Sequence, residues 1–215
     1  MKTIRGPIVA LILAVFAGSG VLAQDGLYGP TDSDDAFVRV VHAVPGSSLV
    51  PVDLGATSYG RVGYGDVTPY RPVFPGMFVL RAEGREFSFA PRSGNYYTLV
   101  YGTEGFQLIE DEIHTDPARA QLVLYNLQET GSLTLGAFPP SAPENRTPVV
   151  SGVRPGGAGR EVINPVDTGF VVTGPEDLAT FDSLPLSRGA SVSVLVMGSG
   201  EAVEVVVAEA SVASD

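Results

Sequence analysis

Three residues of the chain, Asp111, His114 and Ser183, are of the types that together transfer acyl groups. Asp111 and His114 have the D-x-x-H spacing of the acid–base pair in SGNH-type esterases, and Ser183 lies in a block similar to the one that carries their nucleophile. The order of the two blocks is reversed, however, and Phe181 stands where those enzymes have glycine. Since reactive side chains without a supporting context make a weak site, we predict no catalytic residue and no enzymatic activity.

A second group of residues is suited to binding a sugar polymer. Tyrosine rings stack on the faces of sugars, and guanidinium groups bind carboxylates through two parallel hydrogen bonds. A glycine-rich stretch contains five such residues: Tyr59, Arg61, Tyr64, Tyr70 and Arg71. They predict a carbohydrate-binding surface for a uronic-acid polymer. The alternative interpretation is that the tyrosines cover the end of a β-sandwich and the arginines keep it soluble.

The composition excludes several other kinds of site. The chain has 2 histidines and 0 cysteines, which rules out disulfides, thiol catalysis, thiolate metal sites and a histidine-rich metal centre. It also lacks a glycine-rich phosphate loop, so we expect neither a metal nor a cofactor. The chain carries 13 basic and 24 acidic residues and a formal net charge of −11. This charge repels nucleic acids and anionic lipid surfaces, so we expect no nucleic-acid partner.

The first residues have the pattern of a secretory signal peptide over residues 1–23. Lys2 and Arg5 precede an apolar run over residues 8–22, and small residues end it at Ala23. We therefore expect cleavage after Ala23, export to the periplasm and no membrane insertion afterwards. An uncleaved anchor is the alternative, although the run is short for a membrane span.

The rest of the sequence predicts an all-β fold. Short runs of alternating apolar and polar residues are separated by turn residues rich in glycine, proline and aspartate. A faint repeat relates residues 37–43 to residues 120–126, and residues 96–102 to residues 191–198. In the first of these segments, Val38 and Val40 share one face and Arg39 the other.

The repeat predicts two β-sandwich domains in tandem, over residues 36–112 and 118–209. We expect an N-terminal extension over residues 24–35 before them and a disordered tail over residues 210–215 after them. A single larger sandwich is the alternative, since chain length is only a soft guide to the number of domains.

Several blocks, taken in order, resemble the alginate biosynthesis protein AlgF family. The resemblance covers most of the chain after the leader and rests on these segments: Leu27-Tyr28-Gly29-Pro30, Ala36-Phe37-Val38-Arg39-Val40, Tyr96-Tyr97-Thr98-Leu99-Val100, Ser132-Leu133-Thr134-Leu135 and Arg160-Glu161-Val162-Ile163-Asn164-Pro165-Val166. It implies paired β-sandwiches in an exported protein that is required for O-acetylation of an alginate-like polysaccharide. The chain departs from the family in having no lysine after the leader and in its strong acidity, which leaves the polymer's identity open.

The resemblance also implies partners. It predicts a non-catalytic adaptor that contacts periplasmic SGNH-like acetyltransferases and a membrane acyl-transfer protein, with the polysaccharide as a further partner. The apolar and aromatic segment Leu27, Tyr28, Gly29 and Pro30 is our predicted partner contact, because it precedes the first strand and can dock on a neighbour. The alternative is that this segment packs on its own sandwich.

Overall fold

The computed structural model describes residues 34–82, 85–198 and 202–213. These residues form sixteen strands, which confirms the predicted all-β fold. In the described ranges, no helix is both long enough and apolar enough to cross a membrane. The predicted signal peptide, most of the predicted N-terminal extension and the predicted contact Leu27–Pro30 lie outside the described residues.

The first half of the described chain contains eight strands. β1 pairs in parallel with β7, from Phe37↔Tyr96 to His42↔Tyr101. β4 and β8 flank them as antiparallel neighbours, giving a sheet of order β4-β1-β7-β8, which we call the first inner sheet. The other four strands form two separate hairpins, β2-β3 and β5-β6. The strand bounds are β1 Ala36–His42, β2 Val50–Leu54, β3 Thr57–Val62, β4 Arg71–Val73, β5 Phe78–Ala82, β6 Arg85–Phe89, β7 Tyr96–Gly102 and β8 Gly105–Asp111.

The second half also contains eight strands, arranged in two sheets. β9 pairs in parallel with β15, from Gln121↔Ser191 to Leu127↔Met197, in the second inner sheet, of order β12-β9-β15-β16. An outer sheet of order β11-β10-β13-β14 faces it. The strand bounds are β9 Ala120–Leu127, β10 Leu133–Phe138, β11 Thr147–Val153, β12 Gly157–Ile163, β13 Gly169–Thr173, β14 Asp177–Phe181, β15 Ser191–Met197 and β16 Glu204–Glu209.

The repeated sequence segments occupy equivalent places in the two inner sheets. Each inner sheet has a central parallel pair, β1 with β7 or β9 with β15, and an antiparallel neighbour on either side. By this register, Arg39 of β1 corresponds to Val123 of β9, one residue later than the sequence repeat predicts. We refer to residues 36–112 as the first unit and to residues 118–209 as the second unit.

In the described residues, three of the apolar cores lie between successive layers of the fold. One core fills the first unit, between its inner sheet and the two hairpins, and includes Val38 and Leu99. Another fills the second unit, between its inner and outer sheets, and includes Leu124 and Phe170. A third core lies between the two inner sheets and includes Val41 from the first unit and Leu195 from the second. Both inner sheets are therefore covered on both faces, and every residue of β1 and β15 is buried.

The chain end joins the second unit to the first. Val212 forms a parallel bridge with Tyr70, whose N–H donates to the Ser211 carbonyl and whose carbonyl accepts from Ala213, both at 2.8 Å. Ala210 is buried against Tyr70 and Phe37. The segment for which we expected a disordered tail is thus placed on the first unit as far as residue 213.

Candidate functional site

A buried arginine lies between the two inner sheets. The side chains of Val38 and Val40 point into the core of the first unit, so alternation along β1 directs Arg39 towards the second unit. Its side chain is 2% exposed. Nε donates to Thr98 Oγ1 at 2.9 Å, and Nη2 donates to Tyr125 Oη at 2.9 Å and to Ser193 Oγ at 3.0 Å. Arg39 therefore bonds to both units at once.

The charge of Arg39 is balanced by Asp111 through shared hydroxyl groups. Asp111 Oδ2 accepts hydrogen bonds from Thr98 at 2.6 Å and from Tyr70 at 2.8 Å, and its Oδ1 accepts one from Tyr125 at 2.5 Å. Thr98 and Tyr125 thus accept from the guanidinium and donate to the carboxylate. We call Thr98, Tyr125, Ser193, Tyr70 and Asp111 the hydroxyl network around Arg39.

The electrostatics of the network keep Arg39 charged and the tyrosines neutral. Burial alone would lower the pKa of Arg39, but the neighbouring oxygens of Tyr125, Tyr70 and Asp111 raise it overall. The guanidinium also lies over the rings of Tyr70 and Tyr125, with its carbon 4.8 and 5.2 Å from their centroids. Burial raises the pKa of both tyrosines, so their hydroxyls remain protonated donors.

A small cavity of about 80 Å³ opens beside the network, where the edge strands β8 and β12 approach each other. Arg39, Asp111 and Ser193 form part of its wall. An ion pair between Arg160 of β12 and Glu112, just after β8, lies at its rim. Within the described ranges, no cluster of three or more histidine or carboxylate side chains is placed to hold a metal ion.

The five residues predicted to bind sugar do not form one open surface. Tyr59 donates to the Val38 carbonyl at 2.8 Å and packs on the first core, with Arg71 beside it. Tyr70 is buried in the hydroxyl network, while Arg61 is exposed on β3. Tyr64 packs against the third core, where burial and the nearby Glu204 raise its pKa to about 12. Carbohydrate binding by these residues stays a prediction, but in this arrangement three of the rings are largely covered.

The three residues with acyl-transfer potential are separated. Asp111 belongs to the hydroxyl network, and buried His114 donates from Nε2 to the Arg119 carbonyl at 2.9 Å. Ser183 is exposed and follows β14 of the outer sheet. The second inner sheet lies between that outer sheet and the network, so the three side chains have no common site.

A serine–histidine contact occurs elsewhere, between Ser47 and His42. Ser47 Oγ lies 2.7 Å from His42 Nε2, and the Val44 N–H donates to His42 Nδ1 at 3.2 Å. Because Nδ1 accepts, a neutral imidazole carries its proton on Nε2 and donates it to Ser47. A general base needs the opposite arrangement. Burial also lowers the pKa of His42, in agreement with a histidine that is neutral in the folded state.

Sequence patterns do not reveal most of the hydroxyl network. The alternation along β1 places Arg39 on a strand face, but no motif marks Thr98, Tyr125 or Ser193. The signal that the sequence does contain is a charged residue in the middle of an apolar strand, Phe37-Val38-Arg39-Val40-Val41. A buried arginine needs several acceptors, and these come from strands that are distant in the chain.

An exposed apolar turn lies in the first unit. Phe74 and Met77 are 77% and 70% exposed and flank Pro75-Gly76, between β4 and β5. In the antiparallel ladder of β1 and β4, Ala36 faces Val73, so the chain enters β1 beside the start of this turn. Large apolar side chains exposed together are typical of interaction surfaces.

Comparison with known proteins gives one family. A family model described as alginate O-acetyl transferase AlgF matches residues 8–193 of the chain. The match spans β1 to β14 and ends within β15. No curated protein matches the chain.

Proposed function

The chain belongs to the AlgF family, whose description connects it with alginate O-acetylation, and from this premise we propose that it is a non-catalytic periplasmic adaptor. In this role it holds a periplasmic SGNH-like acetyltransferase, and with it a membrane acyl-transfer protein, near an exported alginate-like polysaccharide. The partner transfers the acetyl group, and this chain supplies the binding surface.

The observation that carries the proposal is the exposed apolar turn on a firmly built scaffold. Phe74 and Met77 project from the first unit, whose inner sheet is joined to the second unit by an apolar core and by the hydroxyl network. Aromatic residues and methionine are enriched at protein interfaces. A rigid scaffold lowers the entropy that is lost on binding, so a small apolar contact can be sufficient.

The positions of the nucleophilic side chains agree with a role without catalysis. Ser47 accepts a hydrogen bond from His42, which is therefore not placed to deprotonate it, and Ser183 lies on the far side of the second unit from Asp111 and His114. The family description names a transferase. We assign the transfer step to the partner.

The predicted contact Leu27–Pro30 fits this surface. The chain enters β1 at Ala36, which pairs with Val73, and Phe74 directly follows Val73 in the sequence. Fewer than ten residues separate Pro30 from this point, and an extended chain spans about 3.3–3.6 Å per residue. We propose that Leu27–Pro30 and the turn at Phe74 and Met77 contact the same partner.

Co-purification of the tagged chain with the SGNH-like acetyltransferase tests the proposal. Replacing both Phe74 and Met77 by serine removes apolar surface from an open turn, so we expect normal folding and loss of the partner. Val166→Ser is the matched control, since Val166 is 59% exposed in the second unit. Equal recovery of the partner with both variants would contradict the proposed surface. Failure of the unaltered chain to recover the acetyltransferase would contradict the adaptor function itself.

A further inference from the structure

The guanidinium of Arg39 has hydrogen-bonding capacity that the hydroxyl network does not use. Nε and Nη2 donate to Thr98, Tyr125 and Ser193, whereas Nη1 donates to no described residue. Every fully buried side-chain nitrogen or oxygen in the described residues has a partner, so Nη1 must border open space. Arg39 lines the cavity, and Nη1 is therefore a donor on its inner wall.

A second guanidinium, that of Arg160, lies at the rim of the same cavity. Arg160 pairs with Glu112 at the rim, where their side chains are 45% and 60% exposed. Exposed ion pairs contribute little to stability, so a ligand can share Arg160 or displace Glu112 from it. The oxygens of Asp111, in contrast, already accept hydrogen bonds from three hydroxyl groups. The available hydrogen-bonding groups are thus mainly donors.

Size and charge narrow the class of ligand. A volume of about 80 Å³ is far below the roughly 300 Å³ at which pockets for drug-sized ligands begin, so a group of only a few heavy atoms fits. Guanidinium groups match the geometry of carboxylates. Three carboxylates among the described residues line the cavity: Asp111 and Glu112 balance the two arginines, and Glu110 is paired with Arg92. This lining disfavours ligands that carry more than one negative charge.

We propose that this cavity binds a small monocarboxylate of the size of acetate. One carboxylate oxygen accepts from Arg39 Nη1, and Arg160 closes the site from the rim. The site is a property of the isolated chain and does not depend on the adaptor function. Its entrance lies between the two units, so binding also reports on how they are held together.

Titration of the isotopically labelled protein with sodium acetate, against sodium chloride at equal ionic strength, tests the site. We expect saturable changes in the NMR signals of Arg39 and Ser193 with acetate alone. Glu112→Gln should bind acetate several-fold more tightly, because it removes the carboxylate that competes for Arg160, and Arg160→Gln should bind it several-fold more weakly. Arg146→Gln, which breaks an exposed ion pair with Asp177 in the outer sheet, is the matched control and should bind like the unaltered protein.

Two sources could supply the carboxylate, free acetate or the acid group of a uronic-acid polymer. Parallel titrations with glucuronate and with oligouronates distinguish them, because only a terminal or protruding acid group could enter so small a cavity. Saturation by acetate alone assigns the site to a free monocarboxylate, whereas saturation by oligouronates at the same signals assigns it to the polymer. Absence of a specific acetate effect at Arg39 and Ser193, or the same change in affinity for Glu112→Gln and Arg160→Gln, would overturn the proposal.

Discussion

The two units share the plan of their inner sheets and differ in their outer layers. In the second unit, β10 pairs with β13, from Thr134↔Thr173 to Phe138↔Gly169, and the outer layer is one continuous four-stranded sheet. In the first unit, the outer layer is divided into the hairpins β2-β3 and β5-β6. The shared sheets form the surface along which the units join, and the divergent layers face outwards.

This difference indicates separate roles for the two units. The continuous outer sheet of the second unit completes a closed core, which includes Phe170 and Phe181. The divided layer of the first unit leaves Phe74, Met77 and Val79 exposed. Unpaired strand edges and exposed apolar side chains favour association with another chain. We therefore propose that the partner binds to the first unit and that the second unit supports it.

The largest effect should come from the buried charge that joins the units. Arg39→Ala leaves Asp111 and three hydroxyl groups without their cation, and breaking a buried charged network costs about 3–5 kcal/mol of unfolding free energy. Arg146→Ala removes an exposed ion pair of 2.7 Å and should cost no more than about 1 kcal/mol. Urea unfolding of both variants measures the difference. Equal losses of unfolding free energy would show that the hydroxyl network stabilises the contact between the two units no more than an exposed ion pair stabilises the outer sheet.

A pair of glycine substitutions tests the contrast between the outer layers. A side chain at Gly169 would overlap the ring of Phe138 in the outer sheet of the second unit. Overpacking of this kind typically lowers the unfolding free energy by about 1–3 kcal/mol. We expect the loss for Gly169→Ala to be near the upper end of this range. Gly76 lies in the open turn of the first unit, with no atom within 4 Å of an added Cβ.

Gly76→Ala should therefore change the stability by no more than about 0.5 kcal/mol. Thermal unfolding of the two variants gives the comparison directly. A loss at Gly76 as large as the loss at Gly169 would mean that the turn of the first unit is packed and is not an open surface.

Removal of residues 210–215 tests the strap at the chain end. The truncation deletes two backbone hydrogen bonds to Tyr70, one from Ala210 to the Ser191 carbonyl, and the buried side chain of Ala210. At about 0.5–1.5 kcal/mol for each hydrogen bond, the expected loss is roughly 1.5–4.5 kcal/mol. Amide hydrogen exchange should show faster exchange around Tyr70 and unchanged protection in β10 and β13. Uniform loosening of both units would contradict a strap that acts on the first unit.

A pH dependence at His42 is the smallest expected effect. Burial lowers the pKa of His42 from the ordinary value of 6.5, so the unfolded chain binds a proton more readily than the folded chain does. The contribution of the neutral histidine is complete above pH 6.5 and is lost as the pH falls towards the folded-state pKa. His42→Asn introduces the residue that Asn126 represents at the corresponding position of the second unit.

The variant should lose less stability than the unaltered protein between pH 7 and pH 5. Urea unfolding at several pH values gives the slope of unfolding free energy against pH for the unaltered protein and for His42→Asn. Identical slopes would show that the protonation of His42 is not linked to folding.

The sequence predicted the strands and their faces because alternation is a local property. Val38 and Val40 do point into one core and Arg39 away from it, as expected. What alternation could not predict is that the other face is also buried, since the covering sheet comes from strands that follow much later in the chain. In an ordinary two-layer sandwich, the face that carries Arg39 would meet water.

The same limit explains the candidate site. Tyr59, Tyr64 and Tyr70 are near one another in sequence and therefore predict one surface, but in the fold each contacts a different neighbour. Tyr70 and Asp111, which the sequence suggested for two different roles, share one hydrogen bond in the structure. A site built from residues on six separate segments leaves no spacing pattern for sequence reasoning to detect.

The most direct test of a non-catalytic adaptor measures the acetyl content of the exported polysaccharide. Cells that lack this protein would be complemented with the unaltered chain, with Ser47→Ala, with Ser183→Ala, or with the chain in which serine replaces Phe74 and Met77. We predict full acetylation with the first three and loss of acetylation with the last, at equal amounts of folded protein. Loss of acetylation with either single serine variant, together with normal acetylation by the Phe74 and Met77 variant, would contradict the account.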